Sequence, residues 1–169
     1  MTTQRDRTNG SPAREKQRAA LELWAALTCL TGAVESQLAA HLEARAGVLP
    51  EEADLLALLF EAPEQRLRMA DVSAALRLSK SGVTRLVDRL GARGLVVRAP
   101  CPKDRRVIYA GLTDAGRAAA GVAIPARATG LAQVLAGRLS AKELEGLTAT
   151  LRRLAPVADR PAPAADADA

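Results

Sequence analysis

The sequence predicts a mainly α-helical fold carrying one small β-hairpin, and three observations predict it. Apolar residues make up 49% of the 169 residues, yet aromatics account for only 2%, as Trp24, Phe60 and Tyr109. A core of Leu, Ala and Val suits helices packed on helices, whereas strand-rich domains draw on aromatic and β-branched side chains. Apolar residues also recur at three- and four-residue spacing over most of the chain, the period of a helix face. Finally, two short β-rich runs, 95–98 and 106–112, flank a polar turn containing Pro100 and Pro102, which reads as a hairpin.

Residues 1–17 are polar and carry Asn9-Gly10-Ser11-Pro12, so a disordered tail is expected there. The first helix is expected over 19–46. Leu23, Leu27, Leu30, Val34, Leu38 and Leu42 form its stripe, with Cys29 on or near it as a small core side chain. Gly47 follows, where a C-cap belongs. Such a helix spans about 40 Å, long for one small domain, so part of its apolar face is expected to meet a second subunit.

Pro50 suits the first position of the second helix, and Glu51, Glu52 and Asp54 complement its positive end. Leu55, Leu56, Leu58, Leu59 and Phe60 are its expected core residues, and Pro63 ends it. Residues 66–69 alternate polar and apolar, which suits a very short strand. A short helix over 70–76 follows, with Val72, Ala75 and Leu76 inward. Leu78-Ser79 is a turn, and Ser79 is a good N-cap for a helix over 80–93.

On that helix Val83, Leu86, Val87 and Leu90 make one buried stripe, while Lys80, Ser81, Thr84, Arg85 and Asp88 share the other face. Gly94 closes it. Two short helices joined by a tight turn, the second basic on its outer side, form a helix-turn-helix. The hairpin that follows is then a wing, with Lys103, Arg105 and Arg106 at its tip. Thr113 caps a further helix to about Gly137, expected to kink or break near Pro125. Ser140 and Glu143 form a capping box for the last helix, up to Pro156. Residues 156–169 are Pro, Ala and Asp without periodicity, and disorder is expected there. One domain, 18–155, is therefore expected between two tails.

The net charge is +5, but its placement says more. Residues 77–106 hold nine basic side chains against Asp88 and Asp104, whereas residues 19–76 hold nine acids against Arg45, Arg66 and Arg68. A basic block on an acidic body is the footprint of a polyanion-binding element; on an arbitrary protein it would equally be a solvated face.

Several function classes are disfavoured. No run approaches the ~18 apolar residues of a membrane helix, and the polar N-terminus has no apolar stretch of a secretory signal. Cys29 and Cys101 lack metal-ligand spacing and make no disulfide framework. A reduced, cytoplasmic protein without metal or cofactor is expected. Nucleophile-elbow, phosphate-loop and zinc-protease motifs are missing, and His41, the one histidine, has no catalytic partner arranged around it.

The segment from Leu67 to Gly116 reads LRMADVSAALRLSKSGVTRLVDRLGARGLVVRAPCPKDRRVIYAGLTDAG. Its S-x-S-G-V-T-R-L-V-D-R-L element from Ser79, and its D-R-R followed by L-T-x-A-G from Asp104, resemble the recognition helix and wing of MarR-type winged helix-turn-helix regulators. The resemblance implies a homodimer joined through helices 19–46 and 114–155, with a DNA-binding lobe over 50–113. It implies a pseudo-palindromic operator, one recognition helix per major groove and each wing in a minor groove. Many such regulators are repressors relieved by small aromatic ligands, and some respond to cysteine oxidation.

The residues expected at DNA are Ser79, Lys80, Ser81, Thr84 and Arg85 on the helix and Lys103, Arg105 and Arg106 on the wing. Hydroxyls and N–H groups near a helix N-terminus suit phosphate. Thr84 and Arg85 can reach base edges, and Arg suits the narrow minor groove. Arg89 and Arg93 are open between phosphate and acids of the same subunit. By resemblance, Asp104 braces the wing by pairing with a wing Arg. Trp24 and Leu27 are candidates to line a ligand pocket, Trp24 equally being a core or interface anchor. Three alternatives remain: a non-specific architectural DNA binder, a protein-interaction or ligand-carrier domain that keeps the winged-helix fold without binding DNA, and a redox sensor acting through Cys29 or Cys101, the latter beside basic residues that favour a thiolate.

Overall fold

A computed structural model of the chain describes residues 12–154. The expected tail at 156–169 lies outside them, as do residues 1–11. Six α-helices and three strands follow in the order α1 (Pro12–Ala46), α2 (Pro50–Glu61), β1 (Arg66–Arg68), α3 (Met69–Leu76), α4 (Lys80–Ala92), β2 (Val96–Pro100), β3 (Ile108–Leu112), α5 (Asp114–Leu131) and α6 (Ala141–Leu154).

Helix α1 starts at Pro12, upstream of the expected position 19, so the last part of the expected tail is helical. Proline is tolerated at a first helical position, and Ala13 to Arg18 are nearly all strong helix formers. Only Leu38 and Leu42 of its apolar stripe are buried. These lie where α1 packs on α2 and α5. Further upstream Leu21, Leu23, Trp24 and Leu30 are exposed, as is Cys29, which is therefore no core residue of the single chain. Period alone marks a face as apolar; it does not say whether the same chain covers it.

The core lies between helices α1 to α5 and the sheet, with Leu42, Leu55, Leu56, Leu59, Val72, Val83, Val87 and Leu90 almost fully buried. Phe60 departs from expectation: it is 42% exposed. The helical turn gives Leu55, Leu56 and Leu59 to the core, and Phe60 lies one residue around from Leu59.

Strand β3 is central, with β1 and β2 antiparallel on its two sides. Leu67 pairs with Ala110, and Arg98 also lies opposite Ala110 from the other edge. The wing is thus a three-stranded sheet rather than a free hairpin. Strand β2 runs on to Pro100, and Arg106 and Val107 belong to the turn rather than to β3. Pro100 is tolerated because it closes an edge strand.

Helix α5 continues through Pro125, and the hydrogen-bond pattern changes later, at the π-helical turn Ala132–Ala136. The stretch Asp114–Ala136 is by length and composition apolar enough to cross a membrane, with mean hydropathy 1.2. It packs on α1 and α2 with Gly116, Ala120, Ala123 and Gly130 buried, so part of that apolarity serves the fold of the single chain.

Helix α6 has the expected capping box: the Ser140 N–H and hydroxyl both donate to Glu143 Oε2, at 2.8 and 2.7 Å. These two hydrogen bonds hold the Glu143 carboxyl below the usual carboxylate range. The cap's contribution is complete above the ordinary glutamate pKa of about 4.3 and is lost as pH falls through the lowered folded value.

Candidate nucleic-acid interface

Helix α3 ends on Arg77, which adopts a left-handed conformation with φ 54°. Its N–H returns to Ala74 O, that of Leu78 to Ser73 O, and the Ser73 hydroxyl donates to Leu78 O at 2.6 Å. The turn into α4 is therefore tied at three points. Ser79 then caps α4 as expected, its Oγ accepting from Gly82 N–H at 3.1 Å and lying 3.1 Å from Ser81 Oγ. Val83, Leu86, Val87 and Leu90 fix the inner face of α4. The outer face presents Ser79, Lys80, Ser81 and Arg85 to solvent, with Thr84 half-buried.

The nine basic residues of the block separate into two groups. Arg89 and Arg93 belong to the fold. Arg89 Nε donates to Glu52 Oε1 at 2.7 Å, Arg93 donates to Glu52 Oε2 at 3.0 Å, and Arg89 also reaches Glu51 at 3.0 Å. Glu52 is 2% exposed and also accepts from Leu49 N–H at 3.0 Å. This buried carboxylate, which sequence reading assigned only to the helix dipole, fastens α4 to the start of α2. Arg98 is also engaged: it bonds Thr84 O at 3.0 Å and Asp88 Oδ1 at 2.8 Å, tying β2 to α4.

Among the described residues, the side chains of Arg77, Lys80, Arg85, Arg105 and Arg106 form no ion pair or hydrogen bond within the chain, and all are exposed. Their charge is uncompensated locally and available to an anion. Lys103 is exposed on the same turn. The turn itself is closed by Cys101 N–H to Val107 O at 2.8 Å and Val107 N–H to Asp104 O at 3.0 Å. The expected pairing of Asp104 with a wing Arg side chain is not what the turn shows: Asp104 Oδ1 accepts instead from the backbone N–H of Arg106 at 2.9 Å.

Helix and wing enclose a cleft of about 570 Å³, lined by Lys80 and Thr84 of α4, Arg106 of the wing and Arg98 between them. The fold thus brings Lys80 and Thr84 beside Arg106, 26 and 22 positions away in sequence. Arg68 and Asp71 also line the cleft. Neither was singled out from the sequence, because only the β1–β3 pairing brings β1 beside the wing. Arg68 Nε lies 3.3 Å from Tyr109 Oη, and Arg66 sits 5.1 Å from the centre of the same ring.

Trp24 is 69% exposed, and neither it nor Leu27 lines this cleft or the cavity between α2, α3 and α5. Cys101 is half-buried in the wing turn. Among the described residues no cluster of three or more His, Cys, Asp or Glu side chains could hold a metal ion.

Residues 46–107 match the model of the MarR family. The chain is 34% identical over 107 residues to an uncharacterized HTH-type transcriptional regulator, YkoM of Bacillus subtilis, covering 63% of this chain and 68% of that protein. It is 27% identical over 134 residues to the HTH-type transcriptional regulator MhqR of the same organism, covering 79% and 90%. Among solved structures, it is similar to Sco3205, a MarR family transcriptional regulator of Streptomyces coelicolor in complex with DNA. The TM-score is 0.73 at 28% identity, over 79% of this chain and 84% of that one. A mutant MarR of E. coli complexed with operator DNA shares the fold, with TM-score 0.73 at 22% identity over 82% and 96%.

Proposed function

Since the chain belongs to the MarR family of transcriptional regulators, we propose that it is a cytoplasmic homodimer that binds a pseudo-palindromic operator and represses transcription until a small ligand relieves it. One observation carries the reading: α4 and the wing turn bring Lys80, Thr84 and Arg106 to one cleft, beside exposed arginines with no partner among the described residues. In this reading α4 enters the major groove. Ser79, Lys80 and Ser81 meet phosphates, the Ser79 Oγ acting while it caps the helix, and Thr84 and Arg85 meet base edges. Lys103 and Arg105 or Arg106 follow the flanking minor groove. The exposed Leu21, Leu23, Trp24 and Leu30 of α1, with Leu147, Leu151 and Leu154 of α6, supply the apolar surface between copies.

Fluorescence anisotropy on the DNA upstream of the protein's own gene, against a scrambled duplex over a salt series, tests this reading. A preference of about 1000-fold or more is expected. Equal binding to both duplexes leaves an architectural role, and a mass consistent with monomer in light scattering removes the dimer. Replacing Arg105 and Arg106 by Ala should lower the salt dependence by about one to two counterions per subunit. Affinity as tight as wild type in that variant refutes the wing assignment. Arg85→Ala should instead flatten base preference by about 1–3 kcal/mol at the position it reads.

Arg98→Ala should separate positioning from contact. Its ion pair is partly exposed, so stability should change by less than about 1 kcal/mol. Affinity should fall because the wing is no longer tied to α4, while the salt slope stays that of wild type. A slope reduced by a full counterion would make Arg98 a phosphate contact.

A further inference from the structure

With α4 in the major groove and the wing along the flanking minor groove, a sugar-phosphate strand must cross the cleft between them, because that strand is what separates the two grooves of a duplex. Lys80 and Thr84 line the cleft from α4 and Arg106 from the wing, and β1 with the first turn of α3 adds Arg68 and Asp71. Arg68 is exposed and holds the N-cap position of α3, where its side chain makes no capping hydrogen bond. An N-cap side chain has to accept, and a guanidinium only donates, so capping does not account for an arginine there. Arg66 and Arg68 share one face of β1, with Arg68 paired opposite Tyr109 of β3. The Tyr109 side chain is almost buried, and the two arginines use different parts of it. Arg66 sits 5.1 Å from the ring centre and pairs with Glu64, so its charge is spent beside the turn before β1. The Tyr109 hydroxyl instead accepts from Arg68 Nε at 3.3 Å.

We propose that Arg68 takes a phosphate of the strand crossing the cleft, and that Tyr109 is the positioning residue that aims it. The proposal rests on the DNA-binding reading above and adds a contact that neither α4 nor the wing tip supplies. A guanidinium is planar and rigid, so one hydrogen bond through Nε fixes the plane in which its terminal N–H groups lie. An arginine oriented in advance gives up less side-chain freedom when a phosphate arrives. Tyr109 lies on the central strand, which leads back from the wing turn, so its hydroxyl ties Arg68 to the strand that places Arg106. Asp71 is the one carboxylate lining the cleft, and Arg98 is committed to Asp88. Lys80, Arg106 and Arg68 outnumber Asp71, which leaves the cleft positive toward a phosphate.

Fluorescence anisotropy of the full-length protein on its upstream DNA and on the scrambled duplex, over about 50 to 200 mM salt, tests the proposal. Phosphate contacts carry no sequence information, so Arg68→Ala should weaken binding to both duplexes alike, by about tenfold. It should also lower the salt slope by about one counterion per subunit. Tyr109→Phe keeps the ring beside Arg66 and removes only the hydroxyl. It should weaken both duplexes by about three- to tenfold while Tm stays within about 2 °C of wild type. In the Arg68→Ala background Tyr109→Phe should have no further effect, because a positioning residue acts through the residue it aims. The proposal is overturned by an unchanged salt slope in Arg68→Ala, by unchanged affinity in Tyr109→Phe, or by losses that add in the double variant. A loss confined to the upstream duplex overturns it too, and makes Arg68 a reader of bases. Wild-type protein that binds neither duplex removes the DNA-binding reading itself; wild-type binding that the variants leave untouched removes only this proposal.

Discussion

Replacing Arg89 and Arg93 together by Met should destabilise the protein by about 3–5 kcal/mol, the cost of leaving a buried charge without its partners. Glu52 is the charge concerned. Its two oxygens take Arg89 Nε, an Arg93 N–H and the Leu49 N–H, all within 3.0 Å. Arg93 also donates to Gly47 O at 2.8 Å, so one cluster joins the end of α1, the start of α2 and the end of α4. Adding Glu52→Leu to the double variant should restore most of the loss, because an apolar replacement of the whole cluster no longer buries a charge. Urea unfolding midpoints of the three proteins measure this. A double variant within about 1 kcal/mol of wild type would mean that Glu52 is satisfied some other way. The stable triple variant has a second use. If it binds DNA as wild type does, Arg89 and Arg93 serve the fold alone; if it folds but binds DNA less tightly, they also reach phosphate.

Gly116→Ala should be the most damaging single methyl group that can be added near the wing. Gly116 lies in the first turn of α5, and a Cβ there would fall inside the van der Waals shell of the Leu95 carbonyl oxygen. That oxygen cannot move away cheaply. It accepts from the Thr113 N–H at 3.1 Å, and the Thr113 hydroxyl that caps α5 is 3.2 Å from it. Relief would have to separate the root of β2 from the start of α5. A cost at or above the usual 1–3 kcal/mol of overpacking is expected, about 3 kcal/mol, which lowers Tm by about 6–12 °C in a chain of this size. The wing should also lose its fixed angle, since β2 and α5 hold it from opposite ends. A Tm within about 2 °C of wild type would show that the backbone there yields more easily than the contact implies.

Features encoded locally were legible in the sequence. Ser79, Thr113 and the Ser140–Glu143 pair each act within three residues of themselves, so reading the caps needed no knowledge of the fold. The stripe of α4 and the turn of the wing are legible for the same reason, and together they carried the family resemblance. What could not be read is what depends on distant partners. The partners of Arg89 and Arg93 lie 37 to 46 residues away, so their position along the helix left them open between phosphate and an acid of the same subunit, and only the fold supplies Glu52. Similarly, β1 reads as an isolated strand until Leu67 is found opposite Ala110.

By itself the sequence determined the helical class, the helix-turn-helix with its wing, and the basic face, because amphipathic period, capping and turn chemistry are properties of neighbouring residues. The tertiary structure alone decided which positive charges are spent inside the molecule and which remain for a partner. It also decided which part of the α1 stripe is covered. Ion pairing and burial depend on surfaces meeting, and those meetings are set by packing across the whole chain.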